Sequence, residues 1–466
     1  MPIRGRLRTR RQFLLTAATG AICAGLRAAP SQKDSRPPPP NIIFIMADDL
    51  GYGDLGCYGS TAIATPHLDR LARQGTRFTQ AYSGSPVCAP SRCVLMTGRH
   101  TGHARIRDNN PQAGGELEPF AGGVEGGVRL SLRAEDRTVA EMLQAVGYAT
   151  GITGKWGLGE AGSAGTPLRQ GFDEWLGYLN QNHAAYYYTD YLDKNEGVRP
   201  IPENAQGRRE VYSNDLMADF SVDFVRRHRE QPFFLYLPYT IPHNLMEVPE
   251  LGDYASLDWP EDARIYAAMV TRLDGYVGRL LAELDRQGLA GNTLVFFTSD
   301  NGPVAGPRAD VLESTAGLRG AKSTLYEGGI RVPMIVRWPG RVPAGRTSEE
   351  PWMFADFLPT CAELAGLPSQ DAVDGQSVLP VLTGAPTGLA PRTLYWEFPR
   401  ARLHQAVRHG RWKGIRYGTD QPLELYDLET DRAETHDVAR DYPAIVAELK
   451  QLLDAAHHPS PYWPVN

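Results

Sequence analysis

Several short runs in this chain are apolar on both faces, which leaves few folds open to it. Residues 42–47 (IIFIMA) carry no polar side chain, and 233–237, 293–298 and 332–338 come close. A strand with one wet face alternates apolar and polar residues, whereas a run without alternation is covered on both sides. Between the runs lie amphipathic stretches at 67–74, 138–145, 214–228 and 264–287 that read as helices, and a further strand is expected at 148–153, after Gly147. This alternation predicts an α/β fold with a large, mostly parallel sheet sandwiched by helices. After Pro391 the texture changes to short alternating segments at 393–398, 405–408, 412–416 and 423–427, followed by a helical pattern at 442–456. These predict a small C-terminal antiparallel sheet plus helix. The expected division is a large domain over residues 41–390 and a small α+β domain over 391–466.

The first 29 residues belong to neither. They hold six arginines and no acid, with Arg10-Arg11 ahead of a mildly apolar run from Phe13 to Leu26 and the small pair Ala28-Ala29 before Pro30. That order predicts an export signal, and adjacent arginines followed by Phe13, Leu14 and Leu15 resemble the twin-arginine type, which carries proteins already folded. Residues 30–40, with four consecutive prolines, read as a stiff spacer. Removing six arginines from a chain of net charge −6 leaves a mature protein at −12, an acidity that argues against a nucleic-acid-binding surface. No other run has the ~18 apolar residues that span a bilayer, so no membrane attachment is expected after signal removal, and the location is periplasmic or extracellular. Export would invite a disulfide framework, yet only Cys57, Cys88, Cys93 and Cys361 follow the signal, widely spread and without metal-site spacing. At least one of them is expected to have a chemical role.

In open α/β sheets, ligands gather beyond the carboxyl ends of the strands. Here the 42–47 run ends in Asp48-Asp49, 148–153 in Gly154-Lys155-Trp156, and 293–298 in Ser299-Asp300-Asn301-Gly302, while 233–237 leads to Pro242-His243. Three carboxylates, an amide, a lysine and a histidine are thereby predicted to meet at one rim. Such a set of oxygen donors favours a hard cation, and its charge, with room for an anion, suits Ca²⁺ better than water-rich Mg²⁺. Turn capping would explain Asp-Asp or Asp-Asn-Gly singly; both together, each after an apolar strand, point to a metal. Elsewhere, Pro90 suits the first turn of a helix, which would place Cys88 at the positive end, where backbone amides and Arg92 can hold an anion. On that placement Cys88 is expected to be a low-pKa thiol.

The longer stretch Cys88-Ala89-Pro90-Ser91-Arg92-Cys93-Val94-Leu95-Met96-Thr97-Gly98-Arg99 resembles the signature of the formylglycine-dependent sulfatases of the alkaline phosphatase superfamily. DDLGYGD at 48–54, Gly154-Lys155-Trp156, Ser299-Asp300-Asn301-Gly302, Gly320-Ala321-Lys322, EGGIRVP at 327–333 and Leu425-Tyr426-Asp427-Leu428 match in order, so the resemblance covers nearly the whole mature chain. It implies that Cys88 is converted to formylglycine by a cytoplasmic maturation enzyme before twin-arginine export. It also implies that Asp48, Asp49, Asp300, Asn301 and the modified Cys88 bind Ca²⁺, that Arg92 orients the modified residue, and that Lys155 and Lys322 hold the sulfate oxygens. His243 would act on the leaving-group side. The implied reaction is hydrolysis of a sulfate ester, carried by a sulfated carbohydrate or a small aryl sulfate. A hydroxyl of the hydrated aldehyde attacks sulfur, His243 or Lys322 protonates the departing alkoxide, and the second hydroxyl expels sulfate.

One position departs from the family. A histidine usually stands two residues after the lysine of Gly-Lys-Trp, and this chain has Gly157. Either another base substitutes, with His103 and His183 as the candidates, or breakdown of the hydrate is slower; His183 and the neighbouring Tyr186-Tyr187-Tyr188 read as lining a sugar cleft or as plain packing. The nearest competing reaction is hydrolysis of phosphonates or phosphate diesters. Two-metal phosphatases need further His and Asp ligands where Lys155 and Lys322 stand here, which favours the monoanionic sulfate ester.

Overall fold

A computed structural model of the chain describes residues 39–110, 116–117, 128–368, 372–385, 388–389 and 391–464. The expected export signal at 1–29 and all of the spacer except Pro39 and Pro40 lie outside the described residues. The frame is an 11-stranded sheet. In chain order its strands are β1 (Asn41–Ala47), β2 (Thr76–Tyr82), β3 (Ala149–Lys155), β4 (Glu174–Tyr178), β5 (Tyr191–Lys194), β6 (Gly197–Pro200), β7 (Phe233–Pro238), β8 (Thr293–Ser299), β9 (Arg331–Arg337), β10 (Arg346–Ser348) and β11 (Trp352–Met353). Across the sheet they lie in the order β10-β2-β9-β8-β1-β7-β3-β4-β5-β6, with β11 also on β2.

The central strands β4, β3, β7, β1 and β8 are parallel, as the unbroken apolar runs require. Strand β9 enters antiparallel to β8, and β2 antiparallel to β9, so β2 points the same way as the centre. The sheet is mostly parallel, as expected, and mixed only through β9 and β5, which run against the other strands.

Both faces are covered. Helices α1 (Pro66–Arg73), α2 (Cys88–Thr97), α3 (Val139–Gln144), α4 (Ser213–Arg227), α5 (Glu261–Arg286) and α6 (Phe357–Leu364) divide between them. Alternate residues of β1 show how: Ile43 and Ile45 share a core with Leu68 of α1, Phe224 of α4 and Met269 of α5, while Phe44 and Met46 share another with Leu95 of α2, Leu143 of α3 and Phe357 of α6. Each such side chain contributes roughly 1.5–3 kcal/mol on leaving water.

The C-terminal strands β12 (Thr393–Pro399), β13 (Leu403–His409), β14 (Trp412–Tyr417) and β15 (Glu424–Asp427) form the expected antiparallel sheet, backed by α7 (Pro443–Ala456). One face packs Val407 and Leu425 on Leu449 and Leu453 of α7. The other sends Trp396, Ala406 and Ile415 into the core of the large sheet, so a continuous apolar interior joins the two sheets.

A buried ionic knot fixes that junction. Lys413 of β14 is fully buried, with Nζ 2.8 Å from Glu327 Oε1 and 2.8 Å from Glu434 Oε1. Glu327 also accepts from the Tyr82 hydroxyl at 2.8 Å and from Arg331 at 3.1 Å, and its backbone N–H donates to Glu434 Oε2 at 2.6 Å. Two carboxylates share one lysine, and they separate. Burial would raise the Glu327 carboxyl, but Lys413, Arg331 and Arg408 outweigh it and hold it down to about 2. Burial pushes Glu434 up to about 7, with the charge of Glu327 adding to it. A carboxyl raised in the folded state supports the fold at low pH and loses that contribution as the pH climbs through its folded value. The melting temperature of the wild-type protein is therefore expected to fall relative to Glu434→Gln as the pH rises from about 5 to about 8. Parallel melting curves for the two proteins over that range would rule the knot out as a titrating element.

Candidate active site

Because β3, β7, β1 and β8 are parallel, their carboxyl ends open on one rim, and β2, pointing the same way, delivers the N-terminus of α2 to it. Antiparallel β9 begins at that rim, so the loop before it brings Lys322 in from the opposite direction. Asp48 and Asp49 leave β1, Lys155 ends β3, Asp300 and Asn301 leave β8, and Cys88 opens α2. All six are 1% exposed or less. Asp49 takes a left-handed backbone (φ 67), a conformation that costs a non-glycine residue ~1 kcal/mol or more. Its N–H donates to Asp300 Oδ1 at 3.2 Å, and the Leu50 N–H donates to Ser299 Oγ at 3.0 Å, which hold the turn in place.

Opposite charges then interlock. Lys155 Nζ lies 2.7 Å from Asp48 Oδ2, and Lys322 Nζ lies 2.6 Å from Asp49 Oδ1. Arg92 donates through Nε and Nη2 to Asp300 Oδ2 at 3.2 and 2.7 Å and through Nη1 to the Lys155 carbonyl at 2.6 Å, with Asp48 Oδ2 3.3 Å away. Burial alone would raise the Asp48 carboxyl, but Lys155, His243, Arg92 and Lys322 together hold it far below the usual carboxylate range. Asp49 is also lowered, because Lys322 and His243 outweigh its burial. Asp300 goes the other way, pushed up to about 6 by burial and by the charge of Asp48.

Asp48, Asp49, Cys88 and His243 offer ligand atoms within 4.8 Å of one another. Asn301 donates its amide to Asp49 Oδ1 at 2.8 Å, and its Oδ1 is buried with no hydrogen-bond partner. A buried acceptor left over beside three carboxylates fits an oxygen-coordinated cation. The charge count agrees: three carboxylates face Arg92, Lys155 and Lys322, so a divalent cation would leave the rim positive and receptive to an anion.

Cys88 is not the low-pKa thiol that its place at a helix N-terminus suggested. Burial and the neighbouring Asp48 raise it well above the ordinary thiol range, against the pull of Lys155 and Lys322. Its Sγ lies 3.4 Å from Asp48 Oδ1, a carboxylate that keeps the thiol proton in place. Position 88 thus lies among cations and carboxylates with its thiol held protonated.

His243 reaches the rim through Nε2, 3.6 Å from Asp49 Oδ2, while Nδ1 donates to the Asn244 carbonyl at 2.7 Å. Burial lowers its proton affinity, with Asp48 and Asp49 opposing. Tyr187 buttresses it from below, the hydroxyl 2.6 Å from the His243 carbonyl and 3.2 Å from that of Thr240. Of the three tyrosines expected to line a cleft, Tyr187 is therefore a buried support, Tyr188 lies under Arg209 with ring and guanidinium 4.8 Å apart, and only Tyr186 is open, at 40% exposed.

His183 and His103 are engaged elsewhere. His183 Nε2 meets Thr189 Oγ1 at 2.7 Å, its ring packs on Tyr178 and Tyr191, and burial lowers it to about 4. His103 Nδ1 lies 2.7 Å from Asp374 Oδ1, stacked on His100. Among the described residues, no hydrogen bond or ion pair joins either one to Cys88. At Gly157 the backbone is left-handed (φ 73), and a Cβ there would lie 3.1 Å from the Gln181 carboxamide. Gln181 donates to Asn109 Oδ1 at 3.3 Å, and the same oxygen accepts the Ala89 N–H at 3.0 Å. Nothing in the sequence marked Gln181 or Asn109 for this place, since amides in loops carry no spacing, and Tyr187, expected to line a cleft, supports His243 instead.

Comparison with known proteins agrees with this architecture. The family model described as Sulfatase matches residues 40–367, and the model described as N-sulphoglucosamine sulphohydrolase, C-terminal, matches residues 321–458. Human arylsulfatase A is 34% identical across 94% of this chain and 91% of its own length. N-acetylgalactosamine-6-sulfatase of Canis lupus familiaris is 33% identical across 86% of this chain and 76% of its own. Among solved structures, Ps i-CgsB in complex with k-i-k-neocarrahexaose superposes with a TM-score of 0.76 at 30% identity, covering 91% of this chain and 95% of that one.

Titrating Ca²⁺ into metal-free protein is expected to raise the melting temperature by several degrees, since ligand at ~100 times its dissociation constant adds ~2.7 kcal/mol. Asp49→Asn and Asn301→Ala should weaken that response, and a response of full size in both variants would show that the ion binds elsewhere.

Proposed function

The chain belongs to the sulfatase family and is a sulfuric ester hydrolase, and on that premise we propose that it cleaves sulfate esters of carbohydrates at a formylglycine formed from Cys88. In this reading Ca²⁺ is held by Asp48, Asp49, Asp300, Asn301 and residue 88. The observation that carries it is the buried Asn301 Oδ1 left without a partner, on a side chain whose amide donates to Asp49, the carboxylate that groups with Asp48 and Cys88. A carbohydrate substrate is supported by the neocarrahexaose bound to Ps i-CgsB and by the activity named for the canine relative.

When present, Ca²⁺ and the hydrated aldehyde supply a polarising charge and a pair of geminal hydroxyls, one to attack sulfur and one to expel sulfate later. The remaining work falls to the chain. Arg92, clamped by Asp300 and the Lys155 carbonyl, has no rotational freedom and fixes the orientation of residue 88. Lys155 and Lys322 exchange part of their contact with Asp48 and Asp49 for the sulfate oxygens, where they offset charge that builds as the S–O bond breaks. His243, with Nδ1 committed to a backbone carbonyl, presents only Nε2 to the rim; in its doubly protonated form it supplies a proton from there to the leaving alkoxide, a role Lys322 can also fill. Export of the folded protein through the signal at 1–29, with Cys88 modified beforehand in the cytoplasm, belongs to the same reading. No helix among the described residues is long and apolar enough to cross a membrane.

The test is sulfate release from a panel of sulfated mono- and oligosaccharides and nitrophenyl sulfate, using protein whose Cys88 peptide is shown by mass spectrometry to be converted. Wild-type protein should release sulfate and Cys88→Ala should not; a converted protein inactive on the whole panel would count against the reading. Tyr187→Phe removes a hydrogen bond worth ~1 kcal/mol from the His243 carbonyl and is expected to lower kcat roughly fivefold, with the Cys88 peptide still converted. An unchanged kcat would mean that His243 is held by other contacts.

A further inference from the structure

Arg129 lies outside the residues assigned so far, and among the described residues it is a buried cation held only by neutral groups. The residue is 7% exposed. Nη1 donates to the Asn109 carbonyl and to Asn110 Oδ1, each at 2.6 Å, and Nη2 donates to Asn182 Oδ1 at 3.0 Å. All three acceptors are neutral. Nε is buried and has no partner, and among the described residues no carboxylate comes within ion-pair distance. Glu160 and Asp108 act on it only from farther away. Glu160 accepts from the Asn180 amide at 3.2 Å, and Asp108 faces Arg400 at 3.7 Å. By contrast, the buried Arg92, Arg107 and Arg331 each meet a carboxylate within 3.1 Å.

Arg129 also sits beside the reacting position. Asn109, whose carbonyl it holds, uses its side-chain oxygen to accept the N–H of Ala89, the residue after Cys88. Cys88 and Arg129 lie within electrostatic reach of each other. A guanidinium buried on neutral oxygens costs several kcal/mol of desolvation, which among the described residues Glu160 and Asp108 offset only from a distance. Its planar fork matches a carboxylate or a sulfate, and a free Nε–H is one of the donors such an anion would take.

We propose that Arg129 is a specificity residue that receives a second acidic group, a sulfate or a carboxylate, borne by the same carbohydrate whose sulfate ester is cleaved at residue 88. This rests on the hydrolase reading above and narrows it to substrates with at least two anionic groups. Lys155 and Lys322, tied to Asp48 and Asp49, serve the scissile sulfate, and Arg129 is a separate cation reached through Asn109 rather than through the carboxylate cluster.

The experiment is calorimetric titration in the Cys88→Ala background with Ca²⁺ present, so that binding is read without turnover. The probes are a hexosamine monosulfate, the same hexosamine with two sulfates, and a monosulfated disaccharide containing a uronic acid. At least one doubly charged probe is expected to bind about tenfold or more tightly than the monosulfate, equivalent to ~1.4 kcal/mol. Whichever doubly charged probe shows the larger ratio identifies the second group as sulfate or carboxylate. Adding Arg129→Gln should reduce that ratio to about twofold or less while leaving monosulfate affinity nearly unchanged, because only the second anion loses its partner. Arg129→Lys keeps the charge but loses the fork, and should retain part of the preference; it supplies the same ratio if the glutamine variant does not fold. Equal binding of all probes to the parent, a preference that persists in both variants, or an equal loss of affinity for every probe would each overturn the proposal. Failure of the hydrolase reading is seen separately, as absence of sulfate release by converted wild-type protein.

Discussion

Three carboxylates buried side by side are the constraint that the rest of this structure serves. Asp48, Asp49 and Asp300 are without solvent and close enough that the charges of Asp48 and Asp49, with burial, push Asp300 up to about 6. Carboxylates can be kept ionised in such a place only by cations arranged around them. Arg92, Lys155 and Lys322 come from three different segments, α2, β3 and the loop before β9. Their meeting depends on strand direction. Had β1 and β8 been antiparallel, Asp48 and Asp300 would sit at opposite edges of the sheet, and Arg92 could not bridge them. The parallel centre is therefore an electrostatic requirement as much as a packing one.

The second sheet contributes to the same end. Lys322 lies five residues before Glu327, and Glu327 is gripped by Lys413 of β14 from one side and by Tyr82 and Arg331 from the other. Trp396 of β12 adds a hydrogen bond at 2.9 Å to the Ser83 carbonyl, on the segment between β2 and α2. Both segments that enter the rim from outside the parallel strands, one carrying Lys322 and the other Cys88, are thus anchored to the C-terminal sheet. That sheet supplies no residue to the rim cluster, yet it fixes the loops that do.

Much of this was legible in the sequence, for a physical reason. Runs such as 42–47 and 293–298 are so uniformly apolar that only a central strand can hold them, and the polar residues after them must then fall on one rim. Other features carried no such mark. Strand β2 mixes Arg77, Thr79 and Gln80 with Phe78 and Ala81 and does not read as a strand, although it positions Cys88. An apolar run does not reveal its own direction, so the reversal at β9, which brings Lys322 to the rim, was invisible. The thiol of Cys88 shows the limit of reasoning from a helix terminus: the partial charge of the amides was legible, while the burial and the Asp48 carboxylate that override it belong to the tertiary structure.

The departure at Gly157 shows how such a site tolerates a missing group. At the left-handed Gly157 a side chain would meet the Gln181 carboxamide, which takes up the space beside it. From there the amide reaches Asn109 and, through it, the first turn of α2. The volume is therefore occupied, but by a group of different chemistry. An amide can orient a neighbouring hydroxyl and cannot take its proton near neutral pH. Asp48, with Oδ1 3.4 Å from Cys88 Sγ, is within reach of position 88, but the cations that hold it far below the usual carboxylate range make it a poor proton acceptor and no replacement for an imidazole.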